Sequence, residues 1–118
     1  MSDFLGIDTS NYTTSAAIYE SPHNVLLQEK MLLPVKKGEK GIRQSDAVFH
    51  HTVQLPEIID KLFTKTGKRD ISAVGVSYAP RRLEGSYMPC FLTGISAATA
   101  VSRALSVPLY LSLIHISE

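Results

Sequence analysis

The first forty residues carry short apolar runs with a period of two, which is typical of β-strands. The runs cover residues 4–7, 13–19 and 25–33, and Pro34 closes the last of them. Turn-forming residues separate the runs at positions 8–11 and 21–24. Two turns between three successive strands predict an antiparallel meander.

Beyond a polar connector at residues 36–41, the hydrophobic period lengthens to about 3.6 residues. We predict an amphipathic helix that begins near Ser45 or Asp46 and ends at Gly67. Pro56 lies inside this span and lacks a backbone N–H group, so a kink or a break is expected there. The apolar stripe of the helix consists of Val48, His51, Leu55, Ile58, Ile59 and Leu62.

The second half of the chain predicts two further strands and a second helix. Residues 71–77 form a nearly continuous apolar run, as expected of a central strand that is covered on both faces. Residues 90–105 combine many small residues with larger apolar ones, which favours a helix packed closely against a sheet. A last strand begins at residues 107–111. The predicted order is β-β-β-α-β-α-β, an α/β fold with a mixed sheet.

The composition fits one globular domain, since the 118 residues are 44% hydrophobic with a formal net charge of +1. It excludes a disordered chain and a strongly basic nucleic-acid-binding tail. No apolar run approaches the roughly 20 residues that span a bilayer. No signal peptide is visible, and the single cysteine, Cys90, has no internal disulfide partner. We therefore expect a soluble cytoplasmic protein with no membrane partner.

The turn after the first strand is the densest polar feature of the sequence. Residues 8–15 contain one carboxylate, Asp8, and five Thr or Ser hydroxyls. A strand that ends in such a turn can present N–H and hydroxyl groups to a phosphate, and its carboxylate can face a metal ion. The alternative is an ordinary hairpin turn that local side-chain hydrogen bonds stabilise.

Two adjacent histidines lie on the predicted first helix. Because successive helical residues point about 100° apart, His50 and His51 are not expected to bind one metal ion together. His51 falls on the apolar stripe, where a hydrogen-bonded core histidine is the commoner explanation. His50 is freer to reach a ligand.

Basic residues form two further candidate sites. Arg81 and Arg82 follow the central strand, at a place where α/β folds put ligand contacts. The connector forms either a contact with nucleic-acid phosphates or a solvated loop. The cations of the connector and of the two residues after it are Lys36, Lys37, Lys40 and Arg43.

Several catalytic signatures are absent from the sequence. It contains no P-loop, no dinucleotide-binding glycine motif, no cysteine pair for zinc and no nucleophile elbow. The residues themselves therefore assign no catalytic group and no metal ligand.

The ordered set of motifs nevertheless resembles the TsaD family, the tRNA N(6)-adenosine threonylcarbamoyltransferases formerly called O-sialoglycoprotein endopeptidases. The resemblance begins with FLGIDTS at residues 4–10 and AAIY at 16–19. It continues with GIRQSDAVFHH at 41–51 and with AVGV at 73–76, followed by Ala79-Pro80. It ends with LTG at 92–94, SRAL at 102–105 and Val107-Pro108.

This resemblance implies an actin-like ATPase (ribonuclease H-like) lobe and a role in tRNA modification. The family transfers a threonylcarbamoyl group from an adenylate to an adenosine beside the tRNA anticodon, with a divalent metal, iron or zinc, and ATP-site elements. A TsaB-like paralogue and an accessory ATPase are implied as possible partners. On this chain the implied nucleotide or phosphate contacts are Asp8, Thr9, Ser10 and Asn11. His50 is implied as support for the cleft, and Lys36, Lys37, Lys40 and Arg43 as tRNA contacts.

The sequence departs from the family pattern at three places. Tyr12-Thr13 replaces an acidic pair, a longer loop at 79–85 replaces a Gly-Pro-Gly turn, and the family's His-x-x-x-His is missing. His115 has no histidine four residues later. We therefore expect residues 1–111 to be the N-terminal lobe of a truncated clostridial-type paralogue, and residues 112–118 to be a non-native tail.

Two functions remain open for such a lobe. The first is part of a transferase that binds no cofactor as this fragment and is inactive by itself. The alternative is a non-catalytic partner of the same fold, like the TsaB-type paralogue, which the Tyr12-Thr13 replacement motivates.

Overall fold

The computed structural model describes residues 3–10, 13–20, 24–34, 44–67, 69–78 and 88–113. The element order along these residues is the predicted one. The elements are β1 (Asp3–Asp8), β2 (Thr13–Glu20), β3 (Asn24–Leu32), α1 (Gln44–Thr66), β4 (Ile71–Tyr78), α2 (Met88–Leu105) and β5 (Leu109–Leu113).

The strands of the described residues form one mixed sheet in the order β3-β2-β1-β4-β5. β1, β2 and β3 pair antiparallel, so the predicted meander is confirmed. β1 pairs parallel with β4, and β4 pairs parallel with β5. A parallel neighbour needs a crossover connection, which α1 and α2 supply. The central strand β1 therefore has its carboxyl end beside that of β4.

Both helices pack on one face of the sheet, where they bury the alternate apolar residues of β1, β2 and β4. The strands contribute Leu5, Ile7, Ile18, Val74 and Val76 to this core. The helices add Leu55, Ile58 and Leu62 from α1 and Ala98 from α2. The predicted stripe of α1 is thus the face that the sheet buries.

The opposite face of the sheet is partly open along the residues that the structure describes, since Phe4 and Tyr19 are exposed while Ala17 and Ala73 are buried. The ring of Tyr19 lies over Gly6, where an added Cβ would be 2.9 Å from Tyr19 Cε2. Tyr110 on β5 is 62% exposed. The prediction that residues 71–77 are covered on both faces holds at Ala73, which is 5% exposed, and does not hold at Gly75 and Ser77, which line an open depression.

Pro56 does not break α1, which continues from Gln44 to Thr66. Its ring lies on an exposed part of the helix. Because Pro56 has no N–H group, one ladder hydrogen bond is missing. Apolar contacts nevertheless hold both halves, since Ala47 packs with Leu33 and Cys90, and Ile58 and Leu62 pack in the main core. The expected break is therefore wrong, and the alternative of a kink stays a prediction.

The two helices end with different residues in the left-handed conformation. Gly67 has φ 80° and donates its N–H to the Phe63 carbonyl over 2.8 Å, which confirms the predicted end of α1. Ser106 has φ 56° at the end of α2. There, Val107 N–H donates to the Ser102 carbonyl over 2.9 Å, the bond of a Schellman motif.

The sheet ends within the predicted tail. β5 runs from Leu109 to Leu113, so it includes the first two residues of that segment, and the non-native origin of residues 112–118 stays a prediction. Residues 114–118 lie outside the described residues. Neither described helix is long and apolar enough to cross a bilayer.

We predict that Ser106→Gly stabilises the chain. Ser106 holds φ 56°, which costs a residue with a Cβ about 1–2 kcal/mol, part of which glycine loses again through its freer unfolded state. Urea denaturation should show an unfolding free energy about 0.5–1 kcal/mol higher. The matched control, Gly67→Ala, should lower it by about 1 kcal/mol. A destabilised Ser106→Gly chain would contradict the proposed strain at this cap.

Candidate functional site

The candidate site lies at the carboxyl ends of β1 and β4. The chain runs outward from β1 through β2 and β3, and α1 then carries it back to the other side of β1. Ligands of α/β folds bind beyond the carboxyl ends of strands where the chain reverses direction across the sheet in this way. The residue at that end of β1 is Asp8.

One oxygen of the Asp8 carboxylate accepts three hydrogen bonds. Asp8 Oδ1 accepts from the Ser10 N–H over 2.8 Å, from Ser10 Oγ over 2.6 Å and from Ser77 Oγ over 2.8 Å. The bonds to Ser10 form the local turn that the alternative interpretation predicts, and the bond to Ser77 fixes the carboxylate to β4. Among the described residues, no donor is bonded to Asp8 Oδ2.

An open depression of about 340 Å³ begins beside this carboxylate. Its floor is formed by small residues of neighbouring strands, Gly6, Ala17 and Gly75. Asp8, Ser15 and Ser77 line it as well. One carboxylate oxygen with hydroxyls nearby suits a hydrated divalent cation, because Mg²⁺ keeps several waters and takes one or two carboxylates.

Thr9 does not line this depression. It is buried, and its hydroxyl donates to the Cys90 carbonyl over 2.5 Å and accepts from the Gly94 N–H over 3.1 Å. In this arrangement the Thr9 side chain holds α2 against the end of β1 and is not exposed to a ligand. The predicted role of Thr9 as a ligand contact stays a prediction.

The remaining predicted site residues are not brought to Asp8 by the described structure. His50 is half-buried on α1, and its ring meets Phe49 edge-on with 5.3 Å between centroids. Its role as cleft support stays a prediction. Other predictions fall outside the described residues, namely those for Asn11, Lys36, Lys37, Lys40, Arg43, Arg81, Arg82 and His115.

His51 is a core histidine, as the apolar stripe predicts. It is fully buried, and its Nδ1 is 2.8 Å from Thr14 Oγ1 on β2. The Thr14 hydroxyl donates its one hydrogen to Gln54 Oε1 over 3.0 Å, so His51 Nδ1 must carry a hydrogen and donate to Thr14. Gln54 Nε2 in turn donates to the Leu32 carbonyl over 3.1 Å. The network joins α1 to β2 and β3.

Thr14, Gln54 and Ser77 were not predicted as partners from the sequence. Thr14 shares a strand face with Ala16 and Ile18, and Gln54 lies three residues after His51 on the same helix face. The sequence pattern therefore could have placed both side chains at the buried interface between strand and helix. Ser77 carried none. Its contact with Asp8 depends on the parallel pairing of β1 with β4.

A second concave region lies between the two helices. It is a groove of about 950 Å³ lined mainly by apolar and small residues, including Val48, Leu55, Pro56, Leu92 and Ala97. Leu92 is 57% exposed, and Phe49, next to Val48, is 61% exposed. The first turns of α2 lie between this groove and the turn at Asp8–Ser10, which is called the Asp8 turn below.

The described residues contain no group of three or more His, Cys, Asp or Glu side chains that could hold a metal ion. Cys90 is buried, and burial raises the pKa of its thiol. Its sulfur is therefore a neutral packing group rather than a thiolate ligand.

Curated relatives confirm the family resemblance. The chain is 28% identical over 105 residues to the tRNA N6-adenosine threonylcarbamoyltransferase of Archaeoglobus fulgidus. It is 31% identical over 108 residues to the protein of the same name from Bacillus subtilis. Each match covers 89% of this chain but 30% of the relative, so the chain spans about a third of the length of these proteins. No profile of a known protein family matches.

Solved structures confirm the predicted fold class. YeaZ from Pseudomonas aeruginosa superposes with a TM-score of 0.66 at 17% identity, over 96% of this chain and 43% of its own. Thermus thermophilus RuvC, solved with a Holliday junction substrate, gives a TM-score of 0.54 at 15% identity, over 96% of this chain and 65% of its own. The chain has the ribonuclease H-like, actin-like ATPase fold.

We predict that Thr14→Val destabilises the chain although the side chain keeps its shape. The buried Gln54 Oε1 and His51 Nδ1–H would lose their Thr14 partner, at a cost of about 1–3 kcal/mol each before relaxation. Thr14→Ser should recover most of the loss. Thr52→Val is the matched control, because the Thr52 hydroxyl is exposed and bonds within its own helix. Equal urea midpoints for Thr14→Val and Thr52→Val would contradict the network.

We also predict that the Cys90 thiol resists modification in the folded chain. It is buried and its pKa is raised, so dithionitrobenzoate at pH 8 should react at least on the order of a hundredfold more slowly than in urea. One equivalent of thiol should be released on unfolding. Rapid release without urea would show that the first turns of α2 open readily.

Proposed function

We propose that this chain is the nucleotide-facing lobe of an enzyme that transfers a threonylcarbamoyl group from an adenylate to an adenosine beside the anticodon of a tRNA. The observation that carries the proposal is the similarity to threonylcarbamoyltransferases over 89% of the chain. Because the match covers 30% of those relatives, the remainder of the active site would come from other parts of such an enzyme. A cytoplasmic location belongs to the same proposal.

The Asp8 turn is the part of this lobe that we propose faces the nucleotide. Asp8 lies at the carboxyl end of β1 with its Oδ1 fixed by Ser10 and Ser77. Its Oδ2 would supply one ligand to a Mg²⁺ ion whose other ligands are phosphate oxygens and water. Ser10 and Asn11 would contact the phosphates, and the metal ion would neutralise the negative charge of the phosphates. What Asp8 does in this proposal is to orient the nucleotide.

The proposed tRNA contacts belong to the connector and to the two residues that follow it. Lys36, Lys37, Lys40 and Arg43 place four cations within eight residues, with Glu39 as the opposing charge. Such a cluster attracts a phosphate backbone, and its binding weakens with salt. His50 would support the cleft from the helix that follows the connector.

The catalytic iron or zinc ion of the family does not fit the described residues. They bring no three metal-ligating side chains together. We therefore propose that the chain by itself is inactive in transfer.

A second candidate is a non-catalytic partner of the same fold that binds a catalytic relative. Two observations favour it: the structural likeness to YeaZ and the apolar groove between α1 and α2. Exposed Phe49 and Leu92 beside the groove are typical of a surface with a protein neighbour. The expected occupant is a threonylcarbamoyltransferase chain that carries its own metal site.

A chimaera tests the first proposal. Residues 3–113 replace the matched segment of the Bacillus subtilis transferase, and threonylcarbamoylation of tRNA is measured. We expect transfer activity in the chimaera and none in the 118-residue chain. Asp8→Asn should lower the activity of the chimaera about tenfold or more, because the carboxylate that helps to orient the nucleotide is lost. Asp70→Asn is the matched control. Asp70 is an exposed acid just before the amino end of β4, whereas Asp8 lies beside the carboxyl end of that strand.

The outcomes separate the two candidates. A folded but inactive chimaera, together with binding of the intact transferase by the free chain, would favour the partner function. Equal activity of the Asp8→Asn and Asp70→Asn chimaeras would overturn the role proposed for Asp8. Activity of the 118-residue chain by itself would overturn the expectation that it lacks essential groups.

A further inference from the structure

The Thr9 hydroxyl occupies an unusual position inside the first turns of α2. It donates to the Cys90 carbonyl over 2.5 Å and accepts from the Gly94 N–H over 3.1 Å. Residues 90 and 94 are four apart, so this carbonyl and this N–H are the pair that a regular α-helix joins directly. The hydroxyl of Thr9, the residue that follows β1, therefore bonds to both partners of one helical hydrogen bond.

The close approach depends on glycine at position 94. A Cβ added to Gly94 would be 2.6 Å from Thr9 Oγ1 and 3.2 Å from Val76 Cγ2. Thr9 itself is 1% exposed, so its hydroxyl has no access to bulk water as an alternative partner. The contact is thus a packed feature of the core, at a point where α2 continues as an α-helix.

We propose that Thr9 is a positioning residue that acts as a latch between the β1–β2 turn and α2. In the latched arrangement the Thr9 hydroxyl bridges Cys90 and Gly94. In the unlatched arrangement the hydroxyl withdraws and the Gly94 N–H donates directly to the Cys90 carbonyl. The helix backbone is satisfied in both, so the exchange leaves no buried backbone group without a partner, but the buried Thr9 hydroxyl loses both of its partners when it withdraws. The unlatched arrangement is therefore the minor state, higher in free energy and only slightly populated.

The latch joins the two concave regions of the molecule. On one side Thr9 is the chain neighbour of Asp8 and Ser10, whose hydrogen bonds shape the turn. On the other side Leu92 and Ser96, which flank Gly94 on α2, line the groove against α1. A ligand in the groove that shifts α2 would therefore bias the latch, and so would a ligand at Asp8. A two-state element that both sites bias is the physical requirement for coupling between them. This inference does not depend on which reaction the turn serves.

Amide hydrogen exchange of the 118-residue chain tests the latch. In Thr9→Val the side chain keeps its shape but loses the hydroxyl. We expect exchange at the Ser10 amide to rise about tenfold, after correction for global opening at the Val74 amide, because the turn loses its anchor. The Gly94 amide should stay within about threefold of the wild type, since the direct helical bond closes.

Two variants control for a loss of packing. Thr9→Ser retains the hydroxyl and should restore the protection of the Ser10 amide. Thr99→Val removes a hydroxyl that donates to the Ile95 carbonyl in the same helix and should leave exchange at the Ser10 amide unchanged.

Gly94→Ala should reproduce the faster exchange at the Ser10 amide with Thr9 intact, because the new Cβ displaces the Thr9 hydroxyl. Adding Thr9→Val to it should have no further effect on Ser10.

The wild-type chain offers a test that needs no variant. A Thr9 hydroxyl proton held between Cys90 and Gly94 should give a slowly exchanging NMR signal with a nuclear Overhauser contact to the Gly94 amide. Absence of that contact would overturn the latch. So would an unchanged Ser10 amide in Thr9→Val, or a rise at Gly94 equal to the rise at Ser10.

Discussion

The parallel pairing of β1 with β4 is the interaction on which the other features of the structure depend. It sets Ile7 beside Val76 and Gly6 beside Gly75, and it brings Ser77 within hydrogen-bond distance of Asp8. A parallel pair cannot be closed by a tight turn, so α1 must cross over the sheet. That crossover covers the apolar face of the meander and provides the buried histidine that bonds to Thr14.

Polar groups within this apolar layer give the fold its specific alignment. His51, Gln54 and Thr14 satisfy one another between α1 and the meander, and Thr9 satisfies two backbone groups of α2. An apolar stripe by itself would tolerate small shifts of a helix along the sheet. A buried hydrogen-bonding group does not, because a shift leaves it without a partner at a cost of about 1–3 kcal/mol. The two networks therefore fix both helices relative to the end of β1.

Much of the fold was accessible from the sequence, because local patterns report local structure. The alternation at residues 13–19, the stripe from Val48 to Leu62 and the stop at Gly67 all correspond to observed elements. The differences concern what packs on an element. Gly75 and Ser77 of β4 border an open depression, and α1 continues through Pro56, since in both cases packing between residues far apart in the sequence decides.

The order of elements, the polar turn at Asp8 and the likeness to the transferase family could all be recognised from local stretches of sequence, because each is carried by neighbouring residues. The contacts that these residues make with one another depend on the folded arrangement. It placed Ser77 on Asp8, and it turned the Thr9 hydroxyl away from the depression into the first turns of α2. These contacts join residues about 70 and 80 positions apart. Their geometry follows from sheet pairing and helix packing, which no local pattern encodes.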